Sequence, residues 1–490
     1  MEEFEDPNDD LPEGWRFALL GDICGHPQYG WTTSADPNGR GTKFLRTTDI
    51  SKGEVDWSTV PGCEREPEDV RKYLLSPGDI LVSRAGSVGL SYVVKECPRA
   101  VFASYLIRFK PTPPIPSDYI GYFLKSPKFW DAIDEETAGI AIPNVNASKL
   151  KKLKIPLAPV EEQKRIVARL EEVLPKVNAV RERLIRVKEI MKRFRQSILS
   201  AACSGRLTED WREKNPKFTP VSSLLQEIKK AHHGQKQSEK SRNSVKKFAM
   251  NEPEEGLEAI PESWKWVALG NYAECERGRF SVRPRNDPRY YDGKYPFIQI
   301  GDLPPEGGRV KAHKQTLNDQ GLAISKPFPR GTVAVAIVGA TIGNTGILDY
   351  EMCFPDSLVG VQTGFETGNR FLEYYFRFQK EKMRSISYAS GGQPNIKLET
   401  LNAYPYPLAS REEQCEIVCR IDALFKLADK IEKRVEVELS KIEKMTQAIL
   451  AKAFRGELVP PKTEMESNQV SACIKHLVSH GNKDTEDRVK

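Results

Sequence analysis

The densest chemical signal in the sequence is ERGRFSVRPRNDPRYYDGKY, from Glu276 to Tyr295. It carries Arg277, Arg279, Arg283, Arg285 and Arg289 together with Tyr290, Tyr291 and Tyr295. Guanidinium forks match phosphates and the acceptor edge of guanine, and tyrosines stack on bases or bond a phosphate. A second loop, HPQYGWTTSADPNGRGTKFLRTTD from His26 to Asp49, offers Tyr29, Trp31, Arg40, Lys43, Arg46 and Thr47. Both loops contain Gly and Pro and run into a strand candidate; a solvated loop is the plain alternative for each. Gln299 lies just beyond the first of them. Two Gly-rich turns add Arg84 and Ser87 (Arg84 to Gly89) and Thr341 and Asn344 (Val338 to Asn344). Neither turn continues into Gly-Lys-Ser/Thr or clearly opens a helix, so both are weak phosphate-binding fingerprints. A tight turn and a turn whose backbone approaches DNA both fit.

Catalytic spacings are missing. The six histidines (26, 232, 233, 313, 476 and 480) fall in no HExxH pattern and near no Gly-x-Ser-x-Gly elbow. There is no Walker A loop and no Asn-Pro-Pro-aromatic or Asp-Pro-Pro-Tyr tetrapeptide. The nine cysteines are scattered, with one close pair, Cys415 and Cys419, and no neighbouring histidine. That argues against a zinc site or a disulfide framework and for free thiols in a reducing cytoplasm. The acidic start MEEFEDPNDD lacks the apolar run of a secretory signal, and the longest aliphatic run, Val333 to Val338, is far too short to span a membrane. With 74 basic and 68 acidic residues, the net charge of +6 identifies no partner by itself. What the residues leave is binding rather than catalysis.

Self-comparison shows what positions those residues. LPEGWRFALLGDI at Leu11 recurs as IPESWKWVALGNY at Ile260. PLAPVEEQ at Pro156 recurs as PLASREEQ at Pro407, and QSILSAACSGRLT at Gln196 as QAILAKAFRGELV at Gln447. Pro143-Asn144 matches Pro394-Asn395, and FLRTTDI at Phe44 echoes FIQIGDL at Phe297. A period of about 250 residues means a duplicated domain pair, A–B–A′–B′, rather than a solenoid. The A regions share their edges and differ in the middle, as two domains would if each read a different target; drift after an old duplication is the alternative. Strand candidates are Phe44 to Thr47, Asp79 to Ser83, Val101 to Lys110, Pro296 to Ile300, Thr332 to Val338 and Ser357 to Thr363. A helix is expected after Ser117, matched by one from Phe371 to Ile386.

Each B region reads as one long helix. Ile166, Leu170, Val173, Val177, Val180, Leu184 and Val187 form a 4-3 heptad seam. The repeat places Ile417, Ile421, Leu424, Ile431, Val435 and Ile442 on the matching seam. Pairing of the two helices within the chain is the economical packing; a coiled coil with another protein is the rival. Pro175 is expected to kink or interrupt the first helix. A helix from Glu161 to Cys203 is ~65 Å long. The expected class is α+β: two mixed α/β domains separated by two long antiparallel helices in a pseudo-two-fold tandem repeat. The expected boundaries are 1–155, 156–208, a basic polar linker 209–257, 258–407, 408–459 and a polar tail 460–490. Lys229, Lys230, Lys236, Lys240, Arg242, Lys246 and Lys247 make the linker basic, either as a solvated tether or as a contact for a DNA backbone.

Together LPEGW/IPESW, PLAPVEEQKRIV/PLASREEQCEIV and ILSAACSGRLTEDWREKNP/ILAKAFRGELVP resemble the specificity subunit (HsdS) family of type I restriction–modification systems over nearly the whole chain. The resemblance implies that A and A′ are target recognition domains, each reading half of a split, asymmetric double-stranded DNA target. It implies that the helices set the gap between the halves and dock two methyltransferase (M) subunits, with restriction (R) subunits joining through M. The chain itself would be non-catalytic, directing adenine methylation and restriction in the cytoplasm. S-adenosylmethionine, ATP and magnesium would belong to the partner subunits, with no cofactor or metal held by this chain. A self-contained DNA methyltransferase or nuclease, or a coiled-coil scaffold without DNA binding, are the other classes.

Overall fold

The computed structural model describes residues 11–39, 41–51, 53–137, 145–233, 257–282, 284–388 and 394–460. Arg40, Arg283, most of the basic run and the tail after Pro460 lie outside them. The chain divides into two compact units, Met1–Ile185 with Glu436–Lys490, and Arg186–Val435.

In the first unit the start of the domain is stitched to its end. The strand Arg16–Leu19, which follows LPEGW, pairs antiparallel with Lys154–Leu157, which runs into PLAPVEEQ, in the register Arg16 with Leu157. Between them lies an antiparallel sheet in the order Gln28–Tyr29, Leu106–Phe109, Ile80–Ser83, Ser91–Val93. A second sheet runs Ala35–Asp36, Gly62–Cys63, Lys43–Leu45, Ala100–Phe102, its last pair parallel. Ile80–Ser83 is buried along its whole length, which is why its sequence does not alternate. The expected run Val101 to Lys110 is two strands instead of one. Leu106 N–H closes back on Ala103 C=O at 2.9 Å and makes a turn at 103–105. The helix expected after Ser117 is also two, Ser117–Phe123 and Pro127–Thr137, because Pro127 bars Ser126 from the helical region and starts a new helix.

The second unit repeats the plan. Lys265–Ala268 pairs with Pro405–Leu408. The larger sheet is ordered Glu274–Arg277, Leu358–Gln362, Val333–Ala336, Thr345–Leu348, Arg309–Val310. The smaller runs Gln315–Leu317, Tyr291–Phe297, Met352–Cys353, Pro327–Phe328, again with an internal parallel pair. Here the helix Glu366–Tyr388 is continuous.

The long helices are Val160–Cys203 and Arg411–Ala453. Within the first unit, Ile166 and Leu170 near the start of the first helix share a core with Leu450, Ala453 and Phe454 at the end of the second. Within the second unit, Ile198, Leu199 and Ala202 share a core with Ile417, Val418 and Ile421. The helices therefore run antiparallel in each unit, and Arg195 ties them in the second, reaching Asp429 and Glu432 at 2.7 Å each. The seam is tightest at its ends: Ile166, Leu170, Ile417 and Ile421 are fully buried, and Val177, Val435 and Ile442 nearly so. Val173, Leu184, Val187, Leu424 and Ile431 are half-buried, and Val180 is exposed. Helix ends gain a domain core as a second layer; Val180 belongs to no such cluster.

Two expectations need correction. The first helix runs through Pro175 unbroken. Pro175 is exposed, so its ring faces solvent, and losing one of many backbone bonds does not end a 44-residue helix. The stretch expected to be a tether from 209 is helical for Glu209–Lys214 and Val221–His233. Val221, Leu224 and Ile228, at helical spacing, enter the second unit's core.

Candidate nucleic-acid interface

The registers of the two larger sheets superpose the two domains residue by residue. Tyr29 pairs with Ile107, and Arg277 with Val359. Arg84 N–H donates to Tyr105 C=O at 2.9 Å, and Ile337 N–H to Ser357 C=O at 3.2 Å. Val145 N–H returns to Arg84 C=O, and Ile396 N–H to Ile337 C=O. Tyr29, Arg84 and Tyr105 in one domain thus occupy the places of Arg277, Ile337 and Ser357 in the other.

In the first domain these three residues meet at one end of the sheet. The Arg84 guanidinium lies over the Tyr29 ring, 4.9 Å from its centroid. The Tyr29 hydroxyl accepts the Ala147 N–H at 3.0 Å, so the ring is a fixed platform and the hydroxyl is already engaged. Tyr105, in the turn beside Arg84, is 61% exposed, unusual for so large a ring. Trp31 donates its indole N–H to Arg65 C=O at 2.8 Å and packs on Tyr73, a structural role.

In the second domain the same edge is cationic. Arg277 donates through Nε to Asp356 C=O at 2.6 Å, and Arg285 pairs with the Asp356 carboxylate. Tyr291 donates its hydroxyl to Arg285 C=O. Arg279 donates to Ser325 C=O at 3.1 and 2.6 Å, a neutral acceptor that leaves its charge open to an anion. One guanidinium faces the Asp356 carboxylate and the other its main-chain carbonyl, an arrangement that orients both forks and retains positive charge for phosphates or guanine. Tyr290 is half-buried against Phe280. Arg289 bonds Asp287 at 2.6 Å and holds that carboxyl below its usual range.

A second matched position follows the strands Lys43–Leu45 and Tyr291–Phe297. Arg46 N–H donates to Asp49 and Gln299 N–H to Asp302, both at 2.8 Å. The turn is the same and the side chain differs. Arg46 is held by Asp49; Gln299 is exposed and bonds Gln315 at 2.7 Å. Lys43 is tied inward to Val60 C=O at 2.7 Å, and the Thr47 hydroxyl is shielded, with no hydrogen-bond partner among the described residues.

The Gly-rich turns serve packing more than phosphate binding. Gly89 and Gly343 both have positive φ, and a Cβ would meet the Trp130 ring or the Lys380 backbone at about 3 Å. Ser87 is exposed, and Thr341 closes its own turn on Val338 C=O. Asn344 is not brought to the arginines' edge: it lines a groove of about 670 Å³ with Lys192, Arg195, Arg377 and Phe425.

Sequence reading missed Tyr105 and Asp356, whose roles depend on strand register. It also did not see that the repeated tokens are structural. Glu413 of PLASREEQ, fully buried, receives Trp264 of IPESW (2.8 Å), Thr208 of SGRLT (2.7 Å) and Arg212 (2.6 Å). Gln414 receives the Tyr272 hydroxyl at 2.8 Å. Gly205 and Gly456, both with positive φ, close the long helices; a Cβ on either would lie 2.4 Å from Pro261 or Pro12. The tokens therefore fasten each α/β domain to the helices.

Among the described residues no cluster of histidine, cysteine and acidic residues could hold a metal, the described cysteines are free, and no helix is long and apolar enough to cross a membrane.

Comparison with known proteins agrees with this architecture. The type I restriction modification DNA specificity domain matches residues 12–189 and 261–441, one match for each half of the repeat. The chain is 27% identical over 427 residues to the EcoKI specificity subunit of Escherichia coli (strain K12), covering 85% of this chain and 82% of that one. It is 30% identical over 346 residues to the EcoBI specificity subunit of Escherichia coli, covering 68% and 64%. A solved chain from work on complex assembly and conformational transition of the type I R-M system shares the fold, with a TM-score of 0.61 at 18% identity over 92% of this chain and 100% of that one. With both halves of the repeat matched and the long helices in place between shared domain edges, the chain belongs to the type I restriction–modification DNA specificity subunit family.

Proposed function

We propose that this chain reads a bipartite, asymmetric DNA target, one half through each α/β domain, and directs the adenine methylation and restriction carried out by its partners. The observation that carries this reading is one scaffold with two different edges. Equivalent places hold Tyr29 and Arg277, Arg84 and Ile337, Arg46 and Gln299. Different donors on the same backbone read different base edges. The long helices set the gap between half-sites and dock two methyltransferase subunits, through which restriction subunits join. Ile190, Leu427, Val437 and Met445 are exposed along these helices and supply apolar surface for such docking. The chain is non-catalytic and works in the cytoplasm; S-adenosylmethionine, ATP and magnesium sit on the partners.

The test is binding of target duplex by the chain in complex with its methyltransferase partner, across a salt series. Arg277→Ala with Arg285→Ala is expected to lower affinity on the order of tenfold or more. If the lost contacts are to phosphates, the salt slope falls by about one for each. Unchanged affinity and slope would remove these residues from the interface, and wild-type complex without sequence preference would overturn the reading.

A further inference from the structure

We infer that Arg84 is the guanine-reading residue of the first recognition domain, an assignment that rests on the DNA-reading role proposed above. Its backbone is held on both sides, by Tyr105 C=O at 2.9 Å and Val145 N–H at 3.0 Å. Its side chain lies over a tyrosine ring that is itself pinned through its hydroxyl. An arginine laid on a fixed aromatic face has lost much of its rotamer freedom before DNA arrives, so less is lost on binding.

Its donors distinguish it from the other arginines of the two edges. Arg46 and Arg285 face carboxylates, and Arg277 and Arg279 donate to carbonyls. Among the described residues the Arg84 side chain meets no acid and donates to no side chain or carbonyl. Its Nε is shielded from solvent without an acceptor. The side-on fork, Nε with one Nη, is therefore closed to a ligand. The two Nη groups remain, and the end-on pair they form matches O6 and N7 of guanine in the major groove. Exposed Tyr105 flanks the same spot and gives the neighbouring nucleotide an aromatic surface. In the second domain the equivalent Ile337 is 1% exposed, so the scaffold does not require an arginine at this position.

The test uses the chain with its methyltransferase partner. Methylated sites are mapped for wild type, Arg84→Ala and Arg84→Lys. Duplexes carrying 7-deazaguanine in place of each guanine of the target are compared in binding with the wild-type complex. Expected for both variants is loss of one G·C requirement in one half-site, with preference at that position falling on the order of tenfold or more and the other half and the gap unchanged. Lysine should not rescue, because a point charge cannot replace the fork. Loss of N7 at that single guanine should weaken wild type and leave Arg84→Ala unmoved. The inference is overturned if both variants keep the full target. It is also overturned if Arg84→Ala weakens all sequences alike with a smaller salt slope, which marks a phosphate contact. Because the 7-deazaguanine series needs no variant, insensitivity at every guanine of both half-sites overturns the assignment whatever the variants do. A wild-type complex with no bipartite target would instead bring down the DNA-reading role itself.

Discussion

Glu413→Ala is expected to lower the stability of the second unit by about 3–5 kcal/mol, read as a shift in its denaturant midpoint. Glu413 has no exposed surface and holds three donors at once: the Trp264 indole, the Thr208 hydroxyl and the Arg212 guanidinium. Arg212 is itself only 17% exposed at its side chain, so the substitution leaves a shielded charge and a buried indole N–H without an acceptor. Glu413→Gln keeps the volume but turns one donor toward donors, and should fall between the two. The first unit supplies an internal control. There the indole N–H of Trp15, the counterpart of Trp264, is buried without an acceptor among the described residues. Trp15→Phe should therefore cost little beyond packing, whereas Trp264→Phe strips Glu413 of a partner. Equal costs for the two tryptophans would contradict this account.

Phe454→Ala should destabilise the first unit by about 3–5 kcal/mol, the usual cost of emptying a buried phenylalanine site. Phe454 follows the second long helix and is 4% exposed. Its ring meets Tyr119 and Phe123 edge-on, with centroids 5.2 Å apart in each case. Tyr119 is pinned by its hydroxyl to Pro156 C=O at 2.7 Å, so the wall of the site resists collapse. The repeat places Cys203 at the same position in the second unit. That smaller side chain borders a cavity of about 210 Å³ lined also by Trp266, Tyr375 and Phe378. Burial pushes the Cys203 thiol well up, so it acts there as an apolar group. Cys203→Ala should accordingly cost far less than Phe454→Ala. Thermal or denaturant unfolding of the two variants side by side checks the contrast.

Much of the fold was legible because two of its signals are local. The heptad seam and the repeated tokens are read along the chain, and the long helices and domain edges follow from them. The extent of each helix was legible for the same reason; that Pro175 is passed without a break was not, since exposure of its ring depends on the partner surface. Val221, Leu224 and Ile228 were hidden by the charged residues around them, which made a packed helix read as a tether. The candidate edge was only half legible. Arg277 and Arg285 stand out by residue type, but Asp356 lies more than seventy positions from both and reaches them through strand pairing. Tyr105 reads as a strand residue because Val101 to Lys110 is mostly apolar and β-prone; the turn that exposes it is closed by the bond from Leu106 N–H to Ala103 C=O. Lys43, Thr47 and Trp31 had suitable chemistry and were directed inward by their tertiary neighbours.

The central claim is that each α/β domain reads its own half of the target. Its most direct measurement is methylome sequencing of a host in which residues 258–407 are replaced by the matching region of another family member, with the methyltransferase partner unchanged. The account predicts that one half of the methylated target changes to new bases, while the other half and the gap between them are retained. A change in both halves, or in neither, would contradict it.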